Sequence, residues 1–186
     1  GVFIGLYLAG RGAIPVGTAL DGIDAQTKIA KNDIPLDETY SLLETFGTVL
    51  QVDIPDMLNR SENRADTLNQ YTTALVNVTE RSKQRSQEIQ NEFDALKTKQ
   101  REQDSQVSGI QRIISAALRA KDYATAGENQ QALSAAQAEQ AQTQNQVKQL
   151  LELQKTFTQL LDIAAKRQDA IEKNREVLVA GLKVVD

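Results

Sequence analysis

Residues 116–124 read Ala116-Ala117-Leu118-Arg119-Ala120-Lys121-Asp122-Tyr123-Ala124. An alanine- and leucine-rich helix end runs into Lys121, and Asp122 then offers a carboxylate to cap a new helix. The stretch lies inside a run from Asp56 to Ala180 that holds no proline and only two glycines, Gly109 and Gly127. One plausible turn in so long a breaker-free segment predicts two long helices joined at Lys121/Asp122. The Lys121-Asp122-Tyr123-x-x-Ala126 string resembles a turn common in helix–turn–helix repeats, a local and generic likeness that carries no function.

Heptad phase tests the idea. With Leu58 as a, the first helix places Leu68, Leu75, Ile89, Leu96, Ile110 and Ala117 at d. The second helix has Leu133, Val147 and Leu161 at a, and Ala136, Leu150, Phe157, Ala164, Ile171 and Leu178 at d. Both patterns have a period near 3.5 with polar interruptions, as a coiled coil requires. A chain that reverses between Lys121 and Asp122 brings every a position opposite a d position. Phe93 then faces Leu150, Leu96 faces Val147, Ile110 faces Leu133, and Ser86 faces Phe157. Gln100 faces Thr143 and Gln103 faces Gln140. This polar layer of Gln100, Gln103, Gln140 and Thr143 is expected to weaken the seam and fix its register. Arms of roughly 60 residues would reach about 90 Å at 1.5 Å per residue. The alternative is a shorter bundle in which the polar stretch 79–87 breaks the first helix.

Composition fits a thin coiled coil better than a thick core. Apolar residues make up 40% of the 186, but aromatics only 4%, with no Trp. The formal net charge of −4 argues against a broad nucleic-acid binder. The chain has neither Cys nor His. That excludes disulfides, thiolate catalysis, the usual zinc sites and every triad that needs an imidazole.

The front end differs in kind. Residues 1–10 read Gly-Val-Phe-Ile-Gly-Leu-Tyr-Leu-Ala-Gly. Ten apolar residues are too few to span a bilayer, which takes about 20. They fit the end of a longer hydrophobic segment, or a short stretch packed on a partner. Val2, Phe3, Ile4, Leu6 and Leu8 are the expected anchor. After Arg11, Asp21, Asp24 and Asp33 offset Lys28 and Lys31, so the flank has no basic excess. An anchored hairpin is therefore expected on the extracytoplasmic side. A loop follows, with a short helix expected over residues 23–31 and another over about 36–50, capped by Asp33 or Asp37. Pro55 suits the first turn of the long helix.

Near the base of the hairpin the apolar face is wider than a two-helix seam needs. Tyr71, Val76, Val78, Leu151, Leu153 and Leu160 lie outside the strict a/d positions. They either cover the 36–50 helix or contact another protein, and Tyr71, Val78, Leu153 and Leu160 are the candidate partner contacts. Asp162 with Lys166 and Asp169 with Lys173 read as ordinary i,i+4 pairs. The sequence holds no Gly-rich phosphate loop, metal-ligand cluster or nucleophile motif. Two glycosylation sequons, at Asn59 and Asn77, fall inside the expected helix.

The expected fold is all-α: a long antiparallel helical hairpin, a two-stranded coiled coil, with a short N-terminal helix and an apolar anchor segment. Residues 1–12 form the anchor, 13–54 the linker and short helix, and 55–186 the hairpin. The expected function is non-enzymatic: a membrane- or assembly-anchored spacer, tether or clamp for a protein partner. Neither cofactor, nucleic acid nor small-molecule substrate is expected. The alternative is a self-assembling subunit of a filament, sheath or surface layer, with residues 1–20 packed into a neighbouring copy.

Overall fold

The computed structural model describes residues 34–181. Four helices follow in order: α1 (Leu36–Leu50), α2 (Ile54–Asn59), α3 (Arg64–Arg119) and α4 (Tyr123–Ala180). No strand occurs among the described residues. The two long helices pack against each other as a helical hairpin, the pairing that their heptad phases require. The expected anchor and the helix over 23–31 lie outside the described residues.

The turn is built by backbone hydrogen bonds. The Asp122 N–H donates to the Ala117 carbonyl at 2.8 Å, and the Lys121 N–H donates to Leu118 at 3.1 Å. This is the 6→1 and 5→2 pattern of a Schellman motif, which satisfies carbonyls that α3 would otherwise leave unpaired. The motif places Lys121 at a φ of 59°, in the left-handed region that usually takes glycine. Asp122 then opens α4. Its carboxylate accepts from the Thr125 hydroxyl at 2.7 Å and the Thr125 N–H at 3.1 Å. Those two bonds, the hydroxyl first, hold the Asp122 carboxyl below its ordinary range. At the other end of α4, Gly181 stops the helix at a φ of 85° and donates its N–H to Val177 at 3.0 Å.

The start of the hairpin differs from expectation. The helix that begins beside Pro55 does not run on: α2 ends at Asn59 and α3 begins at Arg64. No proline or glycine lies between them; short polar side chains make the break. The Ser61 hydroxyl donates to the Asn63 carbonyl at 2.9 Å and accepts from the Asn63 N–H at 3.1 Å. It also pairs with the Thr67 hydroxyl. The Asn63 side chain caps α3 by accepting from the Asp66 N–H at 3.0 Å. Such local bonds offer the backbone an alternative to continued helix. The first sequon therefore sits at a helix end, where the Asn59 amide oxygen accepts from Arg64 at 2.9 Å. The polar stretch 79–87, in contrast, stays helical. Thr79 folds its hydroxyl back onto the Leu75 carbonyl at 2.6 Å.

α1 spans the expected residues with a different cap. Its N-cap is Pro35, which makes no side-chain capping bond, and Asp37 lies in the first turn. The Thr39 hydroxyl donates to the Pro35 carbonyl at 2.8 Å. α2 opens on Asp53, whose carboxylate accepts from the Asp56 N–H at 3.1 Å.

The described chain forms two compact units: Ile34–Glu88 with residues 154–181, and Ile89–Leu153. The first, the base unit, contains α1, α2 and the parts of α3 and α4 nearest the termini. Its core holds large, fully buried side chains, among them Phe46, Leu58, Leu68, Leu75, Phe157 and Leu160. The second, the tip unit, contains the turn. Ile89 and Leu150 are fully buried there. Closer to the turn its core thins to Val107, Leu133 and Ala136, with Ile110 and Ile114 only partly buried against them.

Candidate functional site

In the base unit, the side chains outside the two-helix seam receive α1. The Tyr71 hydroxyl donates to the Val49 carbonyl at 2.6 Å. Arg167 donates to the Val52 carbonyl at 2.6 Å and to the Tyr71 oxygen at 3.2 Å. Arg85 donates to the Thr39 hydroxyl at 2.9 Å and pairs with Glu88 at 3.1 Å. The bonds to Thr39, Val49 and Val52 tie α1, or the link that follows it, to residues of α3 and α4. Burial pushes the Tyr71 phenol above its ordinary range, against the opposing pull of the Arg167 guanidinium.

Tyr71, Val78 and Leu160 are buried in the base unit, and Leu153 is buried in the tip unit. All four are buried within their own units, whereas Val76 and Leu151 of the same wide face are 42% and 40% exposed. The roles of Arg85 and Arg167 were not foreseen. Each falls seven residues from an apolar member of the set, Arg85 after Val78 and Arg167 after Leu160. That heptad spacing is the signal that could have found them. A long aliphatic stem with a terminal donor suits the rim of such a face.

At the termini of the hairpin, Arg64 donates to the Leu178 carbonyl at 2.9 Å and Arg175 donates to Asn69 at 2.9 Å. These bonds join the N-terminal part of α3 to the C-terminal part of α4. On the outer surface of α4, Lys166 pairs with Asp162 and Lys173 with Asp169, each at 2.9 Å. Both pairs are exposed, where solvent screening leaves an ion pair little to contribute.

The polar layer lies in the tip unit, with pairings shifted from those expected. The Gln103 amide donates to the Thr143 hydroxyl at 3.0 Å, and both residues are buried. Gln140 reaches instead to Asp104, at 2.8 Å, on the exposed flank. Gln100 is half-buried. Gln103 therefore takes the place expected of Gln100 opposite Thr143. Among the described residues its amide oxygen is buried without a partner, as is the Ser82 hydroxyl in the base unit.

An open groove of about 510 Å³ lies along α1 and α3 in the base unit. Asp37, Glu38 and Glu88 line it together with Arg81 and Arg85. Arg85 is already engaged by Glu88 and Thr39, so the groove offers mixed charge and no concentrated field. Among the described residues, no group of His, Cys, Asp or Glu is placed to hold a metal ion. Among them too, no helix is long and apolar enough to cross a membrane. Val2, Phe3, Ile4, Leu6 and Leu8 lie outside the described residues.

Comparison with protein-family models, with curated proteins and with solved structures finds no match.

Proposed function

We propose that this chain is a non-enzymatic structural or interaction protein that uses the hairpin as a spacer, tether or clamp. Its apolar N-terminal residues attach it to a membrane or to a larger assembly. The observation that supports this reading is the investment of the long helices in one another. α3 and α4 run 56 and 58 residues, and the d positions of α4 from Ala136 to Leu178 are all buried. Such packing holds two ends of a chain in fixed register, which is what a spacer or clamp requires. The attachment rests on the sequence of residues 1–10, whose apolar side chains would each favour transfer out of water.

Flotation of the full chain with neutral phosphatidylcholine vesicles tests the attachment. The chain should float with them. Replacing Phe3, Ile4, Leu6 and Leu8 together by Ser should reduce flotation at least tenfold, while helicity by circular dichroism stays the same. Undiminished flotation of the substituted chain would refute the anchor. Regular polymers of the full chain formed without lipid would favour the self-assembling subunit in its place.

A further inference from the structure

The turn of the hairpin carries exposed features that its own fold does not use. Leu118 is 50% exposed and Tyr123 is 67% exposed, close on either side of Lys121. Ile113, 48% exposed, lies little more than one helical turn before Leu118. Charge separates this end from the rest of the chain. Between Asp104 and Glu128 the sequence holds Arg112, Arg119 and Lys121 against one carboxylate, Asp122, in a protein of net charge −4. The side chains of Arg112, Arg119 and Lys121 are exposed and make no ion pair among the described residues. Asp122 is committed to capping α4 through Thr125. The end of the hairpin is thus a small apolar cap with a net positive rim.

We infer that this cap docks on the surface of an anionic lipid bilayer, with Leu118 and Tyr123 entering the headgroup layer and Arg119 and Lys121 meeting lipid phosphates. Size favours lipid over protein. A stable protein interface buries about 800 Å² on each partner, far more than two or three side chains at a turn can supply. A fluid bilayer accepts single side chains and closes around them. Tyrosine suits the depth at which its ring is buried and its hydroxyl stays wet. Each cation near an anionic surface strengthens binding by about fivefold. This contact is separate from the N-terminal attachment proposed above.

The chain contains no Trp, so Tyr123→Trp places a single reporter in the cap of the full-length protein. Its emission is measured with vesicles of phosphatidylcholine alone, and with vesicles of two parts phosphatidylcholine to one part phosphatidylglycerol. The expected result is a blue shift, with quenching by bromine-labelled acyl chains, on the anionic vesicles only. Adding R119Q and K121Q should weaken that response roughly 25-fold, and L118Q should weaken it further. Emission that stays at its lipid-free position on anionic vesicles overturns the inference, and would point to a protein partner for the cap. An equal shift on both vesicle types also overturns it, because the rim charges would then play no part. Flotation with the phosphatidylcholine vesicles alone, which the cap should not bind, reports the N-terminal attachment independently, so either contact can fail while the other stands.

Discussion

The base and tip units use the same two helices and hold them in different ways. In the base unit, large apolar side chains are fully buried, and arginines on α3 and α4 reach the backbone or hydroxyl groups of other segments. Near the turn, the seam depends on Val107, Leu133 and alanines, plus one buried Gln103–Thr143 bond. The difference follows from α1. A third helix gives the base side chains a second face to fill, whereas a two-helix seam leaves room for little beyond a and d. Stability should therefore reside in the base, with specificity of register in the tip.

The largest effect should come from truncating the base core. Phe157 is fully buried, and Phe157→Ala should cost about 4 kcal/mol in denaturant unfolding followed by circular dichroism. Leu133→Ala in the tip, where the side chain is 8% exposed, should cost about 2 kcal/mol. Equal costs would remove the contrast between the units. The next effect concerns the polar layer. Thr143→Val strands the buried Gln103 amide and should cost about 2 kcal/mol. Combining it with Gln103→Leu should recover most of that loss, because neither partner is then left unpaired. If Thr143→Val alone is neutral, the layer is not the register device assigned to it.

How much of this was legible in the sequence depends on range. The hairpin and its turn could be read because they rest on periodic apolar residues and one well-placed cap. The break at residues 60–63 could not be read from proline or glycine. It comes from Ser61 and Asn63 competing for backbone groups, and the pattern of Asn63 three residues before Asp66 was its only trace. The wide base face could be seen in Tyr71, Val78 and Leu160, but a surplus of apolar side chains does not say what covers it. Arg85 and Arg167 find their roles only where the third helix and its link bring hydroxyl and carbonyl oxygens within reach. The partner of Gln103 depends on side-chain reach, which heptad phase alone does not resolve.

Smaller effects test the turn. Lys121 holds a left-handed conformation and is exposed, so Lys121→Gly should stabilise the fold by roughly 0.5–1 kcal/mol and raise the melting temperature. A lower melting temperature would show that the Lys121 side chain makes a contribution the backbone geometry does not explain. The smallest effect should be on pH dependence. The folded Asp122 carboxyl titrates below its ordinary value of 3.8. Its capping contribution is therefore present above that value and lost as pH falls through the folded pKa. The melting-temperature gap between the native chain and Asp122→Ala should narrow as pH drops below 3.8. A gap that is constant with pH would show that ionisation of Asp122 plays no part in the cap.

The fold depends on α3 and α4 closing on each other within one chain, in the register described. Asp104 and Gln140 are hydrogen-bonded at 2.8 Å on the exposed flank, and the chain has no cysteine of its own. The most direct test is therefore to treat an Asp104→Cys, Gln140→Cys variant with a short bismaleimide and resolve the products by denaturing electrophoresis. Efficient cross-linking is expected within single chains. Cross-links formed only between chains, or none at all, would contradict it.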